Sequence, residues 1–267
     1  MSYFDRAQVV IVLVGVLSGL VGSLVVLRKR VLFAQALTHA TFPGAVVAVT
    51  LGASMQLGAV IAAAALVLTL SLIGRVSPKS EQAASGVMLT GGFALGVVLQ
   101  ALNPSLPLNL EAYLFGSVLA TTWADALLAG IAVVLTIVVL LIAGKNMLFY
   151  LFDQQGYRAA GFSEAAMEGL LLTLTTITVV VAMPAVGAVL AIALIAAPAA
   201  AARLLSRSTT GMIILAPVIS VGSGLAGLWI SRLYSVSAGA SIALVATAVF
   251  AVAYGIRAIG RKGSVWA

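Results

Sequence analysis

The 267-residue chain contains no cysteine and a single histidine, His39. Disulfides and thiolate metal sites are therefore excluded, and one imidazole cannot supply the paired histidines of a zinc protease. Acidic residues number only seven, and charged residues make up 8% of the chain, against roughly 25% in an ordinary soluble domain. No G-x-x-x-x-G-K-[ST] phosphate loop occurs. The nearest approach, "GIRAIGRK" from Gly255 to Lys262, has Arg261 where lysine belongs, so the chain does not hydrolyse ATP itself. Ser223 is flanked by Gly222 and Gly224, but Val221 spoils the Gly-x-Ser-Gly setting of an intramembrane serine protease. The first apolar run lacks a small-residue cleavage site and reads as a retained span rather than a signal peptide.

What the chain has in abundance is apolar surface. Its hydrophobic fraction is 63% and its mean hydropathy is +1.21, which suits lipid as solvent and not a soluble core. The expected fold is all-α, a polytopic transmembrane helical bundle forming a single domain over 1–267. A spanning helix needs about 20 apolar residues. Runs near 8–27, 33–53, 57–74, 84–102, 123–143, 169–183, 185–202, 211–230 and 237–256 give about nine spans, with eight to ten compatible with the pattern. Met183-Pro184 is expected to break the run that separates the sixth span from the seventh. The net charge of +7 points to basic loop ends rather than nucleic acid. With about nine crossings and an external N-terminus, Arg28-Lys29-Arg30, Arg75, Lys79, Lys145, Arg158, Arg203, Arg207, Arg257, Arg261 and Lys262 share one side, the cytosolic one by the positive-inside rule. Only Arg6 and Arg232 fall outside.

Two connections are long. The external segment 103–122 has Asn-Pro and Leu-Pro steps that turn the backbone from helix, and its apolar "AYLFGSVLA" suits an interfacial or re-entrant path. The cytosolic segment 145–168 mixes aromatics with both charge signs, as a docking helix does, although a solvated loop has the same composition. Glycines four apart in "GVLSGLVGS" and "GSGLAG" permit close helix approach, more simply within one bundle than between two copies.

The polar content of the second span is the remaining chemistry. His39 lies nine residues beyond Arg30, about 13 Å into a hydrocarbon core about 30 Å thick. An ionisable group there points to an ion or substrate pathway. Gln35, one helical turn earlier, projects from the same face, with Thr38 one position round. Pro43-Gly44 follows and frees a carbonyl of the preceding turn, a common ion ligand in transporters. The competing reading is a histidine hydrogen-bonded to Gln35 or to a neighbouring helix as packing glue.

The stretch "RKRVLFAQALTHATFPGAVVAVTLG", Arg28 to Gly52, resembles the second-span signature of the membrane subunits of zinc- and manganese-type ABC importers, Gly-Asp-Ala-x-Ser-His-Ala-x-x-Pro-Gly after an Arg-rich turn. The resemblance extends in order through "LEAYLFGSVLA", "LFDQQGYRAAGFS" and "VVVAMPAVGAVLAIALIAAPAAAARLL", nearly the whole chain. It implies a permease of the plasma membrane, not an enzyme, that dimerises with a second copy of itself around a central pathway. It also implies no tightly bound cofactor, two copies of a separate cytosolic P-loop ATPase, and an extracytoplasmic protein that delivers the metal. His39 matches the family's pathway histidine, and Gln35, Thr38 and Pro43 surround it in the motif. Phe152, Asp153, Tyr157, Arg158 and Gly161 match the element that docks on the ATPase.

One position departs from the pattern, because the family aspartate is Gln35 here. An uncompensated divalent ion in a low-dielectric site is costly, so the resemblance leaves open a hydrated ion, a carboxylate such as Glu111 or Asp125 at the outer mouth, or another substrate. Imidazole suits zinc better than manganese, which tilts the expectation toward zinc. An alternative of another class is an ATPase-independent channel or secondary carrier with His39 as a proton-responsive group. The scarcity of carboxylates counts against it.

Overall fold

The computed structural model describes residues 3–76, 81–104, 113–114 and 116–263. Among the described residues ten α-helices have defined bounds: α1 Tyr3–Leu27, α2 Val31–Thr50, α3 Met55–Val76, α4 Glu81–Ala101, α5 Trp123–Phe152, α6 Gln154–Ala159, α7 Glu164–Val186, α8 Ala188–Leu205, α9 Thr209–Tyr234 and α10 Ala238–Gly263. A short 3-10 turn, Val118–Ala120, precedes α5. No strand occurs among the described residues, so the all-α expectation is met. Among the described residues seven helices are long and apolar enough to cross a membrane, and two shorter apolar stretches lie in α3 and α8.

Helix ends follow local chemistry. Thr122 and Asp125 form a reciprocal capping box at the start of α5. The hydroxyls of Ser163 and Ser208 accept from the backbone N–H of Ala166 and Gly211 at the starts of α7 and α9. Within the apolar helices, most hydroxyls turn back on their own turn, as Ser23 does to the Gly19 carbonyl (2.9 Å) and Thr175 to that of Leu171 (2.8 Å). This satisfies them without water.

Two expected boundaries are corrected. Met183-Pro184 does not end α7, which continues to Val186 and stops at Gly187, whose φ of +79° suits glycine. Likewise α5 does not stop near 143. It runs through Lys145 to Phe152, because "KNMLFYLF" has neither proline nor glycine to interrupt it, and it absorbs the first third of the expected docking segment.

Helix α1 is the axis of the bundle and packs on α9, α8, α5 and α7. The small-residue stripes are what allow this. A Cβ on Gly15 or Gly19 would run into Val221 or Pro217 of α9, and one on Gly22 into Ile195 of α8. Gly227 meets Ile242 of α10 in the same way. Both stripes therefore serve packing within one chain. Helices α2, α3 and α4 form a lateral group, joined to the rest through α7 and α8. Position in the bundle sets burial: two-thirds of the α1 span is buried (67%), but only 11% of the α4 span.

Candidate functional site

Helix α2 continues through Pro43 without interruption. Proline still removes one donor, and the carbonyl left without it is that of His39, four residues back. The rotation of α2 is fixed on its buried side. There Thr41 Oγ1 lies 2.8 Å from the Tyr113 hydroxyl and 3.4 Å from Met183 Sδ, and the Phe42 ring sits 4.6 Å from that of Tyr113. Gly44 crosses Gly58 of α3 so closely that a Cβ on either would strike the other's carbonyl oxygen.

These contacts leave a stripe of α2 that is only partly covered: Leu32, Gln35, His39, Pro43 and Val47, none of them fully buried. Leu32 is 46% and Val47 42% exposed, so the stripe is most open at its two ends, with Gln35, His39 and Pro43 half-buried between them. Gln35 and His39 thus share a face, as their spacing predicts. Thr38 does not join them. It is fully buried, and its hydroxyl donates to the Gln35 carbonyl at 2.8 Å. The His39 ring meets Phe93 of α4 edge to face, centroids 5.3 Å apart at 85°, and its Nδ1 is buried with no hydrogen-bond partner. Phe93 in turn stacks near Phe42 (6.1 Å, 30°). Neither Phe93 nor Tyr113 was singled out by sequence, since their roles depend on helix packing between distant segments.

Among the described residues no three His, Cys, Asp or Glu side chains cluster as a metal site. Asp125 is engaged as the cap of α5, its Oδ2 accepting from the Thr122 N–H (2.7 Å) and hydroxyl (2.8 Å). It sits on a helix that packs against α1 and α7. Glu111 lies outside the described residues. One copy of the chain thus offers an ion the His39 imidazole, the Gln35 amide oxygen and a freed carbonyl, with no fixed negative charge from this motif.

The second region lies between α5 and α7. Asp153 caps α6, its Oδ1 accepting from the Gly156 N–H at 2.8 Å, and a Cβ at Gly156 would collide with that carboxylate. Tyr157 is 2% exposed and wedged among Phe149, Tyr150 and Phe162, with ring centroids 5.4, 5.5 and 5.0 Å away. Arg158 projects outward but forks onto Glu164 at 3.1 and 2.9 Å. Gly161, at φ +82°, turns the chain into α7. Phe152 stands 67% exposed. The five residues picked from sequence therefore divide into a cap, an anchor, a turn, a tethered cation and one free aromatic.

A polar cluster that sequence reading missed lies alongside. Glu168 of α7 accepts from the Tyr150 hydroxyl (2.6 Å) and from Arg28 Nε and Nη2 (both 3.3 Å). Arg30 Nη2 approaches its other carboxylate oxygen at 2.6 Å. Arg28 also donates to the Tyr150 hydroxyl (2.8 Å) and lies over its ring at 4.8 Å. Gln154, its amide oxygen turned toward the donor, is 3.0 Å from Arg28 Nη1.

Known proteins resemble the chain over nearly its full length. The manganese transport system membrane protein MntC of Halalkalibacterium halodurans is 35% identical, over 95% of this chain and 87% of the relative. A probable iron transport system membrane protein of Haemophilus influenzae is 29% identical, over 95% and 89%. Among solved structures, PsaBC from Streptococcus pneumoniae in complex with Fab matches with a TM-score of 0.84 at 28% identity, covering 95% of this chain and 91% of that one. The model of the ABC 3 transport family matches residues 1–257, and the chain belongs to that family of membrane-embedded transport proteins.

Proposed function

We propose that the chain is the permease subunit of an ATP-driven importer of a divalent metal ion, and that the ion passes along the partly covered stripe of α2 at Gln35 and His39. The observation that supports this reading is His39 on a half-buried face of α2 with no hydrogen-bond partner at Nδ1, in a chain of the ABC 3 transport family. A membrane-depth imidazole on a half-buried face is costly unless that face borders a water-filled or ion-bearing path. A second copy facing the first across this stripe supplies the other wall, giving two histidines and two amides. Pro43 belongs to the path through the His39 carbonyl it frees, and Thr38 holds the Gln35 backbone carbonyl from behind.

The relatives' names speak of manganese and iron and lend no support to the zinc preference that Gln35 suggests. Manganese is therefore the leading substrate, zinc the second. Nine crossings fit the ten helices if α3 and α8, the two shorter apolar elements, also span. The Arg28, Arg30, Glu168 and Arg257 end then faces the cytosol with the C-terminus, and Tyr3 lies outside. The α6 region docks a P-loop ATPase, one per permease copy, through the exposed Phe152 and the Arg158–Gly161 surface. An extracytoplasmic binding protein delivers the ion at the opposite end. A channel or carrier needing no ATPase finds no support in the family membership.

The test is ATP hydrolysis by the reconstituted complex of permease and ATPase across a panel of manganese, iron(II), zinc and cobalt. Stimulation by manganese at the lowest concentration agrees with the proposal. Uniform rates across the panel contradict a metal substrate.

A further inference from the structure

We infer that Glu168, held by Tyr150, Arg28 and Arg30, is a positioning residue that transmits movement of α6 to the pathway helix α2. The inference rests on the proposed importer reading and adds a route to it. Helix α6 packs chiefly on α5 and α7, so a displacement imposed on it must travel through one of those helices to reach His39. Tyr157, the buried anchor of α6, presses on the Tyr150 ring. The hydroxyl of that ring is bound at once by Glu168 and by Arg28. Gln154, at the start of α6, reaches the same guanidinium.

From the cluster onward the path is stiff. Arg28 and Arg30 flank a tight turn in which Arg28 N–H bonds the Leu24 carbonyl and Arg30 N–H that of Val25, both at 2.9 Å, with Lys29 at φ +59°. Arg30 is the residue on which α2 begins. From there an unbroken helix carries Gln35 and His39, so that the imidazole rides about 13 Å from its driven end. The side chains of Arg28, Arg30 and Glu168 are 19, 16 and 20% exposed. Such partly buried, shared ion contacts switch between discrete arrangements rather than bending smoothly. One carboxylate shared by two arginines across three helix ends is suited to trade one for the other.

The experiment uses the full permease with its ATPase in proteoliposomes and compares wild type with Glu168→Gln and Tyr150→Phe. Both variants are nearly isosteric. Metal ions accumulated per ATP hydrolysed, the apparent melting temperature and ATPase retention are read together. The expected result is about a ten-fold fall in ions moved per ATP, with ATPase binding and basal hydrolysis retained. Arg30→Lys, which keeps the charge, restores most of the ratio relative to Arg30→Ala. A proportional drop in melting temperature, hydrolysis and uptake, with the ratio unchanged, would mean a structural staple and overturn the inference. A wild-type complex that fails to couple uptake to ATP would instead defeat the importer reading itself. If Glu168→Gln does not assemble, Tyr150→Phe alone decides, since it keeps both charges and the ring.

Discussion

The His39 imidazole stands edge-on to the Phe93 ring at 5.3 Å, with its Nδ1 buried and unbonded. No interhelical hydrogen bond is made through that nitrogen. Here the ring is oriented by an aromatic neighbour, on a half-buried face of α2, and its Nδ1 makes no hydrogen bond.

His39→Ala is therefore expected to cost little stability. What is lost is one aromatic contact, worth about 0.5–1.5 kcal/mol, and no hydrogen bond at Nδ1. Thermal unfolding of the purified permease checks this, and a loss of assembled complex equal to the loss of uptake speaks for packing.

Gln35→Asp restores a fixed negative charge one turn from His39. Carboxylate oxygen suits manganese, so the variant should retain manganese about ten-fold more tightly and lose relative preference for zinc. Competition uptake with the two metals measures this. An unchanged preference places residue 35 off the ion path.

In the α6 region, Tyr157→Ala and Phe152→Ala separate folding from docking. Removing a buried ring from among three others should cost about 3–5 kcal/mol, seen as a lower melting temperature of the permease alone. Removing the exposed Phe152 should leave that temperature unchanged and weaken ATPase retention on copurification.

Gly44→Ala and Gly58→Ala should each destabilise by about 1–3 kcal/mol, because the added methyl strikes a facing carbonyl and must push α2 from α3. Gly130→Ala in α5, where nothing lies within 4 Å, should be neutral or stabilising by up to about 1 kcal/mol. Unfolding of the three variants in the same detergent compares them directly.

Much of this was legible in the sequence because it is local. Apolar run length gave the helices, and the four-residue spacing gave the shared face of Gln35 and His39. The glycine stripes announced close packing, and it proved to be internal. Proline was the misleading signal. Pro43 and Pro184 both sit inside continuous helices, since neighbouring helices hold the backbone and one missing donor is tolerated. The real stop at Gly187 comes from a positive φ that no periodicity reports. What stayed invisible was non-local: Arg28 finds Glu168 across 140 positions, and Phe93 reaches His39 only because α4 lies along α2.

The most direct measurement is manganese uptake into proteoliposomes holding the permease and its ATPase, with and without ATP, for wild type and His39→Ala. The account predicts accumulation that requires both ATP and the ATPase, and its loss in the variant while the ATPase stays bound. Uptake by the permease alone, at the same rate without the ATPase, would contradict it.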